Sequence, residues 1–286
     1  MSEFEEIHTP SGLPVMTKAL AARIQNVINT LQIAGFSTLQ QQKGNPYGVE
    51  ILHFGSATAC CAFALKTSSW WNQVVGMTAE ETPLLDKILA LYRSYRFACW
   101  IRTDTGSFSS ELASKMVHND MQPLSPGTVL YGLPHATPLK LSPGMSLYEA
   151  SPAEMDLCGE LWASGFQLPQ DGERDAIIGL RKGWFATPNN HLYIATEDGV
   201  PAGVAGLFIH DKIGFLNVGT TLPDFQGRGL HSALCIHRIH EAARMGCELV
   251  IGETGAFASR SQNNMERAGM HIAYTHLTWV DRYITP

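Results

Sequence analysis

The sequence predicts a mixed α/β protein built as two halves of similar plan. Three observations carry this expectation. The chain has 286 residues, enough for two cores of ordinary size. The stretch LPHATPLKLSP at 133–143 holds three prolines and no hydrophobic periodicity, as a linker does. On each side of it the apolar patterns follow one order: strands first, then helix, strand, helix, strand. The expected division is therefore 1–135, a linker at 136–144, and 145–286. No residue-by-residue repeat accompanies the shared order.

In the first half, VMTKALAARIQNVINTLQIAG places Leu20, Ile24, Val27, Ile28 and Leu31 on one helical face, and Gly35 reads as its end. Three short apolar or alternating runs, YGVEILHFG, TACCAFAL and NQVVGM, are separated by turn residues and read as strands. Thr78 can cap a helix from about 79 to 95, because its hydroxyl accepts from the first free amides and Glu81 stands three residues on. A strand at 97–101, a helix at 109–117 and a strand at 128–132 complete the half.

In the second half MSLYEA reads as a strand, and PAEMDLCGELWASGF as a helix with Pro152 in its first turn, where a missing N–H costs nothing. HLYIATEDG and PAGVAGLFIHD are strands joined by Asp198-Gly199, a strong hairpin signal. IGFLNVGTTL is the next strand. A long helix ending at Gly246, a strand at 249–253, a helix at 259–268 and a strand at 270–280 follow. Each half is thus expected to be a mixed, mostly antiparallel sheet flanked by helices.

Composition narrows the function. Charged residues make up 16% and the net charge is −6, so no basic surface invites nucleic acid or anionic lipid. The six cysteines show no C-x-x-C spacing or paired framework, which suits a reducing compartment such as the cytoplasm. The acidic start MSEFEEIHTPSG lacks the apolar core of a signal peptide, and no apolar run approaches the roughly 20 residues that cross a bilayer.

One stretch carries chemistry. LPDFQGRGLHSALCIHRIHEAARMG, at 222–246, sets Gly227 and Gly229 between a strand and a helix. The start of a helix leaves amides without partners and carries partial positive charge, so anions bind there. Glycines let that backbone wrap a pyrophosphate closely. Gln226 and Arg228 can orient the loop or touch phosphate. A strand-to-helix turn can carry glycine for local reasons alone, but here a broad apolar face follows, from Leu230 and Ala233 through Ile239 to Ala243, ready to pack on a sheet. No Lys-Ser or Lys-Thr follows the second glycine, and Ser232 stands where a dinucleotide fingerprint needs its third, so both of those motifs are excluded.

TLPDFQGRGLHSAL resembles the acetyl-CoA segment of the GNAT acyltransferase superfamily, R/Q-x-x-G-x-G/A opening a helix, with Gln226 and Gly229 in register and His231 departing from Gly or Ala. SRSQNNMERAGM resembles the superfamily's later motif, with Glu266, Arg267, Gly269 and Met270 in register. The resemblance implies tandem GNAT-like halves and acetyl-CoA, or another acyl-CoA, as co-substrate. It implies cofactor contacts from Gly219, Thr220 and Thr221 on the strand, Gln226, Gly227, Arg228, Gly229, Leu230 and His231 in the loop, and Ser261 and Asn264 on the later helix. In the first half the matching position reads TAEETPLL, whose carboxylates repel a pyrophosphate. That half is expected to have lost the cofactor and to serve as scaffold or pocket wall.

The activity implied is direct N-acyl transfer to a small amine, or with a pantetheine-bearing carrier protein as partner. A non-catalytic acyl-CoA sensor is the alternative. Transfer needs a base for the amine, and Glu253, in VIGETGA, is the candidate; a solvated strand-end charge is the competing reading. Relatives often place a tyrosine acid where this chain has Met265, so either Tyr274 or Ser261 substitutes for it or no acid is needed, since a thiolate leaves readily and the helix termini are positive. No metal is expected, since His237 and His240 lie three apart without further ligands. His210, His271 and His276 could line a pocket or be simply hydrogen-bonded; Trp70 and Trp71 could form an aromatic wall or core.

Overall fold

The computed structural model describes residues 12–66, 68, 70–104, 106–255 and 259–281. The acidic start discussed above lies almost wholly outside them. In chain order the elements of the first half are α1 (Lys18–Gln40), β1 (Val49–Phe54), β2 (Ala57–Ala62), β3 (Asn72–Val75), α2 (Leu85–Tyr95), β4 (Trp100–Asp104), α3 (Ser110–His118) and β5 (Met121–Gly132). The second half contributes β6 (Met145–Glu149), α4 (Met155–Gly165), α5 (Arg174–Phe185), β7 (Asn190–Glu197), β8 (Val200–His210) and β9 (Ile213–Thr221). It closes with α6 (Leu230–Arg244), β10 (Leu249–Gly255), α7 (Arg260–Arg267) and β11 (His271–Asp281).

All eleven strands join one mixed sheet in the order β1-β2-β3-β4-β11-β5-β10-β9-β8-β7-β6. The two halves follow one plan: β3 runs parallel to β4 as β9 does to β10, and α2 and α3 occupy the places of α6 and α7. They are not two sheets side by side, because each half lends its last strand to the other. β5 pairs antiparallel with β10, β11 pairs antiparallel with β4, and the two lent strands pair with one another. Asp281, fully buried at the end of β11, accepts from Arg93 of α2 at 2.7 and 3.0 Å, which fastens the exchanged strand to the opposite half.

Alternation along the strands sends side chains to two faces. One face packs against α1, α4 and α5 in a core that spans both halves, including Ile24, Leu31, Trp162, Trp184, Ile194 and Ile251. The other carries α2 and α3 over the first half and α6 and α7 over the second. Burial of that apolar area, about 25 cal/mol per Å², is the main stabilising term.

Several expectations change in detail. Gly35 does not end α1, which runs on to Gln40; a Cβ there would strike the Trp184 ring, so this glycine admits α5 rather than stopping a helix. Gly179 and Gly183 of α5 are likewise pressed against Tyr47 and Leu39. The segment from 79 begins as a 3₁₀ turn, Ala79–Leu84, before α2, with the Thr78/Glu81 capping box in place. β5 starts seven residues earlier than expected, because Pro123 and Pro126 read as turn residues; they fall where β5 has β11 beside it and the β10 ladder has not begun. α5 was not anticipated at all. No helix among the described residues is long and apolar enough to cross a membrane.

Candidate active site

β9 and β10 run together only from the Ile213–Leu249 pair to the Leu216–Gly252 pair, after which they part. β9 stays with β8 through a bulge, since Val204 faces Thr220 while Gly206 faces Asn217. At the bulge Val218 is held at φ +48°, an unfavourable place for a β-branched residue. Arg238 of α6 pins it: Nη1 donates to Gly206 O at 2.9 Å and to Asn217 O at 3.0 Å, and Nε to Leu234 O at 3.0 Å. The parted strands open the sheet, and a cavity of about 660 Å³ occupies the gap, lined from both faces and from both halves of the chain.

At its rim lies the glycine loop. Gly227 and Gly229 have φ of +79° and +92°, and a Cβ on either would meet nothing, so conformation and not crowding selects glycine here. No side chain caps α6 and no acidic residue stands in its first turn. Among the described residues the amides of residues 227–232 find no acceptor. Donors left this way at a positive helix end fit a diphosphate. Gln226 braces the loop, donating to Thr221 O at 3.4 Å and accepting from Arg260 at 3.3 Å. Arg228 turns outward to Glu197 at 3.0 Å and to Asp224 O at 2.9 Å, so it shapes the loop and does not face the amides.

Deeper, His231 and Ser261 line the cavity, as Gly219 does. Asn264 is one layer behind and donates to His231 Nδ1 at 3.0 Å. Leu230 sends its side chain to the core, leaving its amide to the loop. Thr220 packs on Gly165, and the buried Thr221 Oγ1 has no partner. Cys235, also lining the cavity, lies 3.7 Å from His231 Nδ1 and 3.5 Å from Arg238; burial pushes its thiol up, but those two groups hold it below the ordinary range.

Glu253 points into the cavity from β10, and two groups from across the exchanged strands reach it. Arg102 Nη1 of β4 approaches Oε1 at 2.6 Å and His276 Nε2 of β11 approaches the same oxygen at 2.8 Å, the latter a close contact and not an aligned hydrogen bond. Gly127 of β5 makes the meeting possible, since any Cβ there would strike the His276 ring. Burial works to raise the Glu253 pKa, yet Arg102 and then His276 bring it down to about 2. Glu253 is thus a permanent carboxylate and, alone, a weak base.

Tyr274 does not join this group. Its hydroxyl donates to Gln25 of α1 at 3.0 Å, it does not line the cavity, and burial pushes its pKa well up. A side chain committed to α1 cannot protonate a leaving thiolate in the cavity. Met265 does line it, with its sulfur against Gly252. His271 is exposed and His210 stacks on Phe208, so of the strand histidines only His276 belongs to the site. Trp70 and Trp71 both line it, and with them stands Arg181 of the unanticipated helix α5. The sequence signal for α5 was the spacing of Ile177, Leu180 and Trp184, diluted by Gly179 and Gly183. Arg102, Arg181 and Arg238 carried no sequence signal, since an arginine's burial is decided by tertiary packing. Among the described residues no group of side chains is arranged to hold a metal ion.

Comparison with known proteins bears on this geometry. The model of the acetyltransferase (GNAT) family matches residues 155–270. No curated protein matches the chain. Among solved structures, a GCN5-related N-acetyltransferase from Kribbella flavida superposes with a TM-score of 0.62 at 15% identity, covering 87% of this chain and 96% of its own. Another, from Sphaerobacter thermophilus, gives 0.57 at 15%, covering 92% and 93%. A tandem GNAT protein from the clavulanic acid biosynthesis pathway gives 0.58 at 12%, covering 78% and 77%. At such identities the structural likenesses speak for the fold alone. Residues 155–270, in the second of two halves, thus match the acetyltransferase (GNAT) family, and the fold of the chain is like that of GNAT proteins.

Proposed function

We propose that this protein transfers an acyl group, acetyl in the simplest case, from coenzyme A to a small amine. The observation that carries the reading is the set of unpartnered amides at 227–232, opening beside a cavity that also holds an ionised carboxylate and an imidazole. The amides of Gly227 to His231 would hold the diphosphate, and the parted edge of β9 from Gly219 to Thr221 would face the pantetheine arm, with Ser261 across from it. Bound there, an acyl thioester supplies an activated carbonyl.

The chain's own groups handle the amine. Glu253, fixed by Arg102, can accept N–H bonds from the incoming amine and orient it. His276, against the same carboxylate, is an imidazole placed to take the amine's proton. The backbone beside Gly219 can polarise the thioester carbonyl. Ser261 is the hydroxyl within the cavity nearest in role to the absent tyrosine.

Met265 favours a second reading, because it brings no proton donor to the place where a thiolate would leave. On that reading the protein binds acyl-CoA without turning it over. A carrier-bound pantetheine would use the same strand edge with fewer contacts at the loop. Calorimetry with CoA, followed by assay of free thiol released from acetyl-CoA over an amine library, separates these. Binding with release in the presence of an amine supports the enzyme; binding without release supports the sensor; no binding removes both.

A further inference from the structure

Arg181 is 3% exposed and makes no hydrogen bond or ion pair with any described residue. Its Nε and Nη1 are both buried without an acceptor. Around it stand five rings, with Cζ 4.4 Å from the centroid of Trp162, 4.9 Å from Trp184, 5.0 Å from Trp70, 5.2 Å from Trp71 and 5.8 Å from Phe185. Ring faces attract the cation but offer its N–H groups nothing to donate to. Burial alone lowers its pKa to about 9. A buried cation without a counter-ion is expensive to keep, and among the described residues the usual remedy, an acid in contact, is missing.

The balance of the whole cavity points the same way. Among the described residues Arg102, Arg181 and Arg238 line it against Glu253 as the one acid, in a protein whose net charge is negative. Arg238 is satisfied by backbone carbonyls and Arg102 is charge-paired with Glu253, although its Nε and Nη2 find no acceptor, so Arg181 is the lining guanidinium left without a counter-ion among the described residues. An aromatic box usually receives a cationic ligand; here the protein has filled it with its own cation and turned it into an anion receptor. The rings crowd the guanidinium on several sides, and Nη2, the one terminal nitrogen not shut away, is left to meet a carboxylate oxygen.

We propose, resting on the acyl-transfer reading above, that the substrate carries a carboxylate that pairs with Arg181, as in an amino acid or another small amino-carboxylate. An alternative source of the same group is a dicarboxylic acyl chain on the thioester. Cationic amines without an acid group, such as polyamines, are disfavoured by the cavity's excess positive charge.

The test uses the full chain with acetyl-CoA and a panel of amino acids, their C-terminal amides and the corresponding decarboxylated amines. Carboxylate-bearing amines should release thiol, and their amides and decarboxylated forms should not. Arg181→Met should raise KM for the carboxylates by about 10- to 150-fold while leaving CoA affinity unchanged, and Arg181→Lys should restore part of the loss. Because Arg181 is held for a ligand, Arg181→Met should melt at or above the wild-type temperature without substrate. Succinyl-CoA with a neutral amine forms the second arm: turnover there, lost in Arg181→Met, assigns the carboxylate to the donor. Equal use of amides and acids in the first arm together with no dependence on Arg181 in the second, or an unchanged KM in Arg181→Met, overturns the proposal. Should Arg181→Met fail to fold, the Arg181→Lys KM series decides alone. Failure of the acyl-transfer reading shows separately, as absence of CoA binding and thiol release, while calorimetry of the amino acids alone against wild type and Arg181 variants still reads the anion site.

Discussion

The molecule contains two strand-to-helix turns in corresponding places, and they solve the same electrostatic problem differently. At 76–81 the helix start is filled from within. Glu81 Oε1 accepts from Ser56 N at 3.0 Å, Oε2 accepts from Thr78 N at 3.1 Å and from the Thr78 hydroxyl at 2.5 Å, and Thr78 Oγ1 accepts from Glu80 N at 3.2 Å. Burial acts against ionisation of Glu81, but those bonds from Thr78 and Ser56 keep its pKa below the ordinary value. At 226–231 no carboxylate is present and the amides await one. A helix start can thus serve stability or ligand binding, and the position of a single acid decides which.

Moving the acid from one turn to the other should have the largest effect. Gly229→Asp places a carboxylate on the open amides, in a backbone conformation that disfavours a side chain, and CoA affinity measured by calorimetry should fall by about 100-fold or more with the far-UV circular dichroism unchanged. Undiminished affinity would remove the loop from the site.

Next in size is Glu253→Gln, which separates binding from chemistry. CoA affinity should hold, kcat should drop by about 10²- to 10⁴-fold, and denaturant titration should show a loss of about 3–5 kcal/mol because Arg102 is left buried beside a neutral amide. The stability that wild-type Glu253 contributes is full above the unfolded carboxyl pKa of about 4.3 and is lost as pH falls towards about 2. The gap between variant and wild type should therefore narrow on acidification.

Glu81→Gln sharpens the other arm. It should cost about 1–2 kcal/mol, leave acyl transfer unaltered and create no second CoA site, because Gly76 is packed 2.8 Å from Ser56 O where a Cβ would stand, leaving that turn no room to open. A second equivalent of CoA in the titration would contradict this. The smallest effect is expected of Gly227→Ala, whose Cβ meets nothing: about 1 kcal/mol of strain from φ +79°, and less than about tenfold in affinity.

What the sequence made legible follows from what is local. The helix and strand periods, the Thr78 cap, the Asp198-Gly199 hairpin and the glycine loop are each decided within a few residues, and they stand in the structure as expected. The exchange of β5 and β11 is decided by pairings between residues more than a hundred positions apart, and Pro123 and Pro126 disguised half of β5. The site divides along the same line. The amides of the loop could be read from Gly227 and Gly229, whereas Arg102 and His276 reach Glu253 only because the strands are traded, and Arg181 sits on a helix whose glycines hid it. Tyr274 was a natural choice by residue type, and its bond to Gln25 is a matter of tertiary geometry.

The traded strands also constrain how the chain comes into being. During synthesis β4 leaves the ribosome with one edge bare, and its proper neighbour, residues 271–281, is made only after the other ten strands. For that interval the early half is an unfinished template open to sticking with others of its kind. Conversely, a nick in the exposed stretch between β5 and β6 would yield two fragments that each complete the other, so they should remain clasped on a sizing column until denaturant parts them.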